Sequence, residues 1–220
     1  MPSRPSLKLV PPRVDSDPPA RGPELADEDL VAALRRGDTT AATAFYDRAQ
    51  VIVRRTVGRL LGRYDSDADD AAQLALIEIV DSIERFRGDC PLDAWLSVVS
   101  ARVVYKLIRR RSLERRVFSD VPLQAVAVAS SNTARDVALR DSMRRLETLL
   151  ARVDQNRLWA FLLHDAYGFD LKEVASITGV STAAAQTRLT RGRREVQERI
   201  ERDPDLAQTF QDWSNAEGES

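Results

Sequence analysis

The sequence predicts an all-α protein: two small helical domains joined by a flexible linker, the second containing a helix-turn-helix. Three observations carry that reading. Apolar residues recur at helical spacing through residues 26–116 and again through 135–202. No segment alternates with the period of two that a half-buried strand shows. Between the periodic blocks, residues 117–134 lose the stripe, contain Pro122 and include a small-residue run, Ala125 to Asn132. A length of 220 residues suits one or two such domains at roughly 100–200 residues each.

Taken in order, residues 1–25 hold seven prolines. That density prevents helix and leaves little to bury, so the segment reads as a disordered arm. Asp27 is expected to N-cap the first helix, with Glu28 and Asp29 in its first turn and Gly37 as its stop. A long helix fits from about Thr40 to Leu61, closed by Gly62. Asp67 is expected to cap the third, with Leu76, Ile79, Val80, Ile83 and Phe86 as its buried stripe. The run from Arg87 to Cys90 breaks the pattern, and Pro91 suits a first helical position. The fourth helix then runs to about Arg116, burying Leu92, Leu96, Val99, Val103 and Leu107. Residues 117–134 read as the linker, although its Ala-Val run also fits a short buried strand. Helices resume at Arg135 and stop near Arg202. Residues 203–220 read as a loosely ordered acidic tail, pinned in part by Phe210 and Trp213.

Composition narrows the function classes. A hydrophobic fraction of 43% and a charged fraction of 30% fit a chain that buries a core. One cysteine (Cys90) excludes a disulfide framework and points to a reducing compartment. One histidine and one cysteine are too few for the usual four-ligand zinc site, so no metal and no cofactor is expected. No apolar run approaches the ~20 residues that span a bilayer, and the basic start has no apolar stretch of a secretory signal. The expected location is therefore cytoplasmic, without membrane insertion. His164 beside Asp165 has neither a nucleophile motif nor a second catalytic partner, so it reads as a structural or surface histidine. No catalytic residue and no small-molecule substrate is expected.

Charge is segregated behind a formal net charge of -1. From Asp65 to Glu84 there are seven acids and no Lys or Arg; from Arg102 to Arg116 there are seven bases against Glu114. Two blocks of this kind fit two partner surfaces, one for a basic protein and one for a polyanion, or two solvated faces that pair with each other.

The strongest motif runs from Asp170 to Leu189. Asp170 and Glu173 form a capping-box start, Gly179 suits a turn of positive φ, Val180 plugs the core and Ser181 caps a second helix. That helix is expected to bury Ala185, Leu189, Val196 and Ile200. Its opposite face carries Ala183, Thr187, Thr190, Arg191 and Arg194, flanked by Gln186 and Arg188. Small residues let the backbone approach a duplex; Gln and Arg can read base edges, while Thr and Arg hold phosphates. In the first domain, Asp70, Gln73 and Ile77 share one face of the acidic helix, with Leu74 at its border and Asp69 beside it. Such a face suits a basic helical partner. On the basic helix, Trp95, Arg102, Lys106 and Arg109 form one stripe, thickened by Arg110 and Arg111. Bases interleaved with an aromatic ring suit phosphate tracking, with Trp95 either stacking on a base or packed as core.

Together these pieces resemble the extracytoplasmic-function sigma factors of the bacterial sigma-70 family. The resemblance rests on Asp29-Leu-Val, Arg36-Gly-Asp and Ala44-Phe-Tyr, on the acidic helix from Asp67, on Phe86-Arg-Gly with Leu92-Asp-Ala-Trp-Leu96, and on the helix-turn-helix. It implies a protein that docks on core RNA polymerase through Asp69, Asp70, Gln73, Leu74 and Ile77. It implies capture and melting of the minus-ten element through Arg87, Gly88, Trp95, Arg102, Lys106, Arg109 and Arg110. It implies reading of the minus-thirty-five duplex through Thr182, Ala183, Gln186, Thr187, Arg188, Arg191 and Arg194. The implied partners are core polymerase, promoter duplex with its melted single strand, and an anti-sigma factor. The sequence departs from the family where an acid is usual (Leu74), an aromatic is usual (Leu76), and Asn and Asp are usual (Arg102 and Lys106). The recognition helix also departs, so a target sequence does not carry over. Two other readings stay open on the residues alone: a helix-turn-helix regulator that never joins polymerase, and a sigma-like adaptor that has lost melting.

Overall fold

The computed structural model describes residues 26–62, 65–118 and 134–208. The proline-rich arm, the Ala-Val run of the linker, and Phe210 and Trp213 of the tail lie outside the described residues. Every regular element among the described residues is helical. The chain divides into two compact units, one built on the first four helices and the other on the remainder.

The first unit comprises α1 (Asp27–Arg35), α2 (Thr39–Leu61), α3 (Ala68–Ser82) with a 3-10 turn (Ile83–Arg85), and α4 (Leu92–Phe118). Asp38 caps α2, its side chain accepting from the N–H groups of Thr40 and Ala41 at 2.8 and 3.0 Å. Gly37 and Gly62 end α1 and α2 with φ of 80° and 89°, a region side chains disfavour. Helices α2, α3 and α4 pack on one another, and α1 packs on α2. The core is Phe45, Ile52, Val53 and Val57 from α2, Ala71, Ala75 and Ile79 from α3, and Leu92, Leu96, Val99 and Val104 from α4. Two alanines on α3 let its backbone lie close to its neighbours.

Several expectations need correction here. Asp27 is not the N-cap of α1. That position falls to Ala26, because the Asp27 carboxylate is drawn to Arg48 and to the Leu92 N–H. Asp67 stands at the N-cap of α3 without capping it, because its carboxylate is bound by Arg111. Pro91 lies just outside α4, its carbonyl accepting the Trp95 N–H at 3.1 Å. Val80 is 60% exposed instead of buried, and Leu76 and Ile83 are only half-buried. On α4, Val103 and Leu107 are half-buried while Ala101, Val104 and Tyr105 are buried, since α4 packs against both α2 and α3 and buries more than one stripe. The helix also extends into the expected linker, as far as Phe118.

The second unit comprises α5 (Ala134–Leu150), α6 (Gln155–Phe161), a turn of π-helix (Leu162–Ala166), α7 (Leu171–Thr178) and α8 (Thr182–Glu201). Asp154 caps α6 through the Arg157 N–H. Helix α8 packs on α6 and α5. Its buried face is Ala185, Leu189, Gly192, Val196 and Ile200, and α6 buries Trp159, Ala160 and Phe161. Residues 203–208 are better ordered than a loose tail. Asp203 accepts the Leu206 N–H at 3.2 Å, and Leu206 is 1% exposed.

Candidate nucleic-acid and protein interfaces

The outward face of α3 carries apolar side chains with acids around them. Leu74, Ile77 and Val80 are 53%, 58% and 60% exposed, successive at helical spacing. Asp69, Asp70, Gln73 and Asp81 are exposed beside them. The expected docking residues therefore do share one solvent-facing surface. Val80 belongs to it and was missed. The signal was available, since Val80 stands three residues after Ile77 and six after Leu74. A continuous apolar stripe with an acidic rim is the composition of a contact surface.

The acidic block is nevertheless partly internal. Arg111 of α4 donates to Asp65 through Nη1 at 2.9 Å and Nη2 at 2.6 Å, and through Nε to Asp67 at 2.8 Å. The Asp65 bond leads, burial opposes it and Asp67 adds to it, so the Arg111 guanidinium is held above its ordinary range. Arg111 is thus committed to the fold. The two charge blocks pair here.

The rest of the basic stripe is displayed in part, with Arg102 half-buried. Lys106, Arg109 and Arg110 are exposed on α4, and Arg102 stands one turn before Lys106 on the same line. Arg109 donates to the Tyr105 hydroxyl at 3.2 Å, with its guanidinium 5.9 Å from that ring's centroid. Trp95 is half-buried and meets Phe86 edge-on, ring centroids 5.5 Å apart at 64°. Phe86 is 5% exposed, so Trp95 has a packed partner on one side. Arg87 and Gly88 are exposed in the loop between α3 and α4, with Gly88 at φ 77°.

In the second unit the helix-turn-helix is α7 and α8. Asp170 accepts the Glu173 N–H and Glu173 accepts the Asp170 N–H, both at 2.8 Å, a complete capping box. Burial pushes the Glu173 carboxyl up, with its bond to the Asp170 backbone opposing. Gly179 is left-handed at φ 70°, ψ 38°, and Ser181 caps α8 through the Ala184 N–H at 3.2 Å. Val180 is half-buried. Thr182, Ala183, Gln186, Thr187, Arg191 and Arg194 are exposed, and Arg188 is half-buried. The Thr187 and Thr190 hydroxyls bond back to the carbonyls of Ala183 and Gln186, and Gln186 Nε2 donates to Thr190 at 3.2 Å.

A family model for Sigma-70 region 2 matches residues 45–114, and one for Sigma-70, region 4 matches residues 143–196. The two lie in order on one chain and together span more than half of it. The chain belongs to the sigma-70 family, in its extracytoplasmic-function branch. Among the relatives of this sigma factor is the ECF RNA polymerase sigma factor SigM of Mycobacterium tuberculosis. It is 26% identical over 170 residues, covering 77% of this chain and 82% of SigM. The RNA polymerase sigma factor CnrH of Cupriavidus metallidurans is 26% identical over 177 residues, covering 78% and 92%. A solved structure of CnrH in complex with the cytosolic domain of CnrY shares the fold. Its TM-score is 0.50 at 22% identity, covering 81% of this chain and 99% of that one.

Elsewhere in this sigma factor, His164 is used structurally. Its Nδ1 lies 2.7 Å from Asp165 Oδ1, and Arg193 of α8 donates to both Asp165 oxygens at 2.7 and 2.5 Å. Burial works against the Asp165 charge, but the Arg193 and His164 bonds prevail and hold the carboxyl below its usual range. No group of three metal-ligating side chains occurs among the described residues, and none of their helices is long and apolar enough to cross a membrane.

Proposed function

We propose that this sigma factor binds core RNA polymerase and directs promoter-specific transcription initiation as an alternative sigma factor. The observation that carries the reading is the exposed apolar stripe Leu74, Ile77 and Val80 with its acidic rim, on the same chain as a basic helix-turn-helix face. A duplex-binding regulator alone has no use for the first. In this reading residues 26–116 dock on polymerase through Asp69, Asp70, Gln73, Leu74, Ile77 and Val80. The loop at Arg87 and Gly88, with Trp95, Arg102, Lys106, Arg109 and Arg110, takes the minus-ten strand as it melts. An extruded base needs an apolar or aromatic surface to rest on, and the half-buried Trp95, backed edge-on by the buried Phe86, is the side chain this reading assigns to it. Residues 135–202 hold the minus-thirty-five duplex, with Gln186 toward base edges and Thr187, Arg188, Arg191 and Arg194 toward phosphates.

The two units are carried on one chain, which makes the second engagement intramolecular. The polymerase performs the chemistry; this chain is regulatory and works in the cytoplasm. An anti-sigma protein that covers these faces is the further partner. Run-off transcription with purified core polymerase tests the reading. Added chain is expected to associate with core and to raise initiation on a subset of promoters. Absence of both association and added initiation at low salt rejects it.

A further inference from the structure

The loop that joins α3 to α4 is tied at both ends to a helix that comes before either. At the near end, Arg35 Nη2 of α1 donates to the Phe86 carbonyl at 2.8 Å and to the Glu84 carbonyl at 3.2 Å. Its Nε lies 3.7 Å from a Glu84 carboxylate oxygen. At the far end, Asp27 Oδ2 of α1 accepts the Leu92 N–H at 2.7 Å. The other Asp27 oxygen takes Arg48 Nη1 at 2.8 Å, and Arg48 Nε reaches Asp93 Oδ1 at 2.6 Å. Burial works against the Arg48 charge, yet the bonds to Asp93 and Asp27 raise its pKa above the ordinary range. In the middle, a Cβ placed on Gly88 would stand 3.6 Å from a Glu28 carboxylate oxygen.

These are not local caps. Arg35 and Phe86 are 51 residues apart, and Asp27 and Leu92 are 65 apart. The end of a helical turn leaves carbonyls without partners, and the start of α4 leaves N–H groups without partners. Charged side chains of a third helix fill both, and charge-assisted bonds to backbone are among the stronger ones. Between the two anchors, residues 87–91 are all exposed. A segment with so little burial holds one shape only if its ends are fixed.

We propose that α1 braces this loop: Asp27 and Arg35 are positioning residues that hold residues 87–91 in the shape that selects a base of the melted minus-ten strand. The proposal rests on the reading of that loop given above. Selection by a pocket demands placement to a fraction of an ångström, so loosening either anchor blurs the choice before it abolishes binding.

The test uses holoenzyme reconstituted from core polymerase and the full chain. It captures single-stranded oligonucleotides randomised over the minus-ten element, and the readout is base preference, separate from yield. Arg35→Ala and Asp27→Ala are expected to lower the enrichment at the captured base by about tenfold, the size of one base-pair discrimination. Asp27→Asn keeps an acceptor for the Leu92 N–H but loses the charge facing Arg48, and it falls between. If Arg35→Ala or Asp27→Ala does not fold, Asp27→Asn and Arg35→Lys carry the comparison. Lower yield with unchanged preference overturns the brace, because α1 then serves only stability. Asp89→Ala, within the loop, separates the two failures. If it shifts preference while the α1 variants do not, the loop reads the strand and the brace is wrong. If neither loop nor α1 variants shift it, the minus-ten reading fails and takes the brace with it.

Discussion

Gly192 decides how close α8 can come to α6. A Cβ at this position would stand 2.5 Å from the Arg157 carbonyl oxygen and 3.4 Å from the Phe161 Cβ. Helix propensity alone favours alanine over glycine by about 1 kcal/mol. The close backbone approach outweighs that, because a carbonyl in a packed helix has nowhere to move. Gly192→Ala is therefore expected to destabilise the second unit by about 1–3 kcal/mol, the usual cost of overpacking, as read by urea unfolding. Stabilisation would show that the helices separate at little cost. The carboxylates beside this crossing set an acid limit. Asp165 is held below its usual range by Arg193 and His164 against burial, and Glu195 by Arg199 first, with burial opposing and Arg157 adding. A lowered folded pKa gives stability that is full above the unfolded value near about 4 and lost as pH falls through the folded one. The melting temperature of the second unit should fall as pH drops below about 5, and fall less in Asp165→Asn. Identical pH profiles for the two proteins would remove Asp165 from the account.

Helix α3 separates what holds the fold from what faces outward. Ala71, Ala75 and Ile79 are buried to 0% exposure, while Ile77 and Val80 are 58% and 60% exposed. Ile77→Asp and Val80→Asp should therefore change unfolding free energy by no more than about 0.5 kcal/mol. They should weaken core polymerase binding about tenfold or more, as for anchor residues of an interface. Binding assays beside thermal melts check both halves, and a variant that melts early but binds normally contradicts the assignment. This helix also shows where sequence stops being legible. Leu74, Leu76, Ile77, Ile79, Val80 and Ile83 leave apolar side chains on most of its circumference. Periodicity then cannot say which side is core; the two small alanines and the packing of α2 and α4 decide it, and Val80 falls outside. The helix-turn-helix was legible for the opposite reason. Its capping box, its left-handed glycine and the cap of α8 all lie within a dozen residues, so local chemistry specified them. Asp27 and Arg111 were not legible, because their partners lie 65, 44 and 46 residues away along the chain.

Taken whole, the chain carries an acid-rimmed apolar face on its first unit and a basic helix-turn-helix face on its second while its formal net charge stays at -1. Each face should fail by itself. Arg188→Ala with Arg191→Ala is expected to weaken duplex binding and to reduce the slope of log affinity against log salt by about one for each phosphate no longer neutralised. Core association should be unchanged. Combined with Ile77→Asp, the effects should add within about 0.5 kcal/mol, as for sites without shared partners. An unchanged salt slope would argue against phosphate binding by these arginines, and strong non-additivity would argue against separate tasks.

The Arg111 tie gives the first unit a further property. It moors the far part of α4 to the segment that leads into α3, so the exposed apolar stripe of α3 and the basic stripe of α4 belong to one block. If the proposed docking holds, lengthening the chain between the two units is expected to change the promoter spacing that is preferred and to leave the start site where it was, as primer extension on promoters of varied spacing reads.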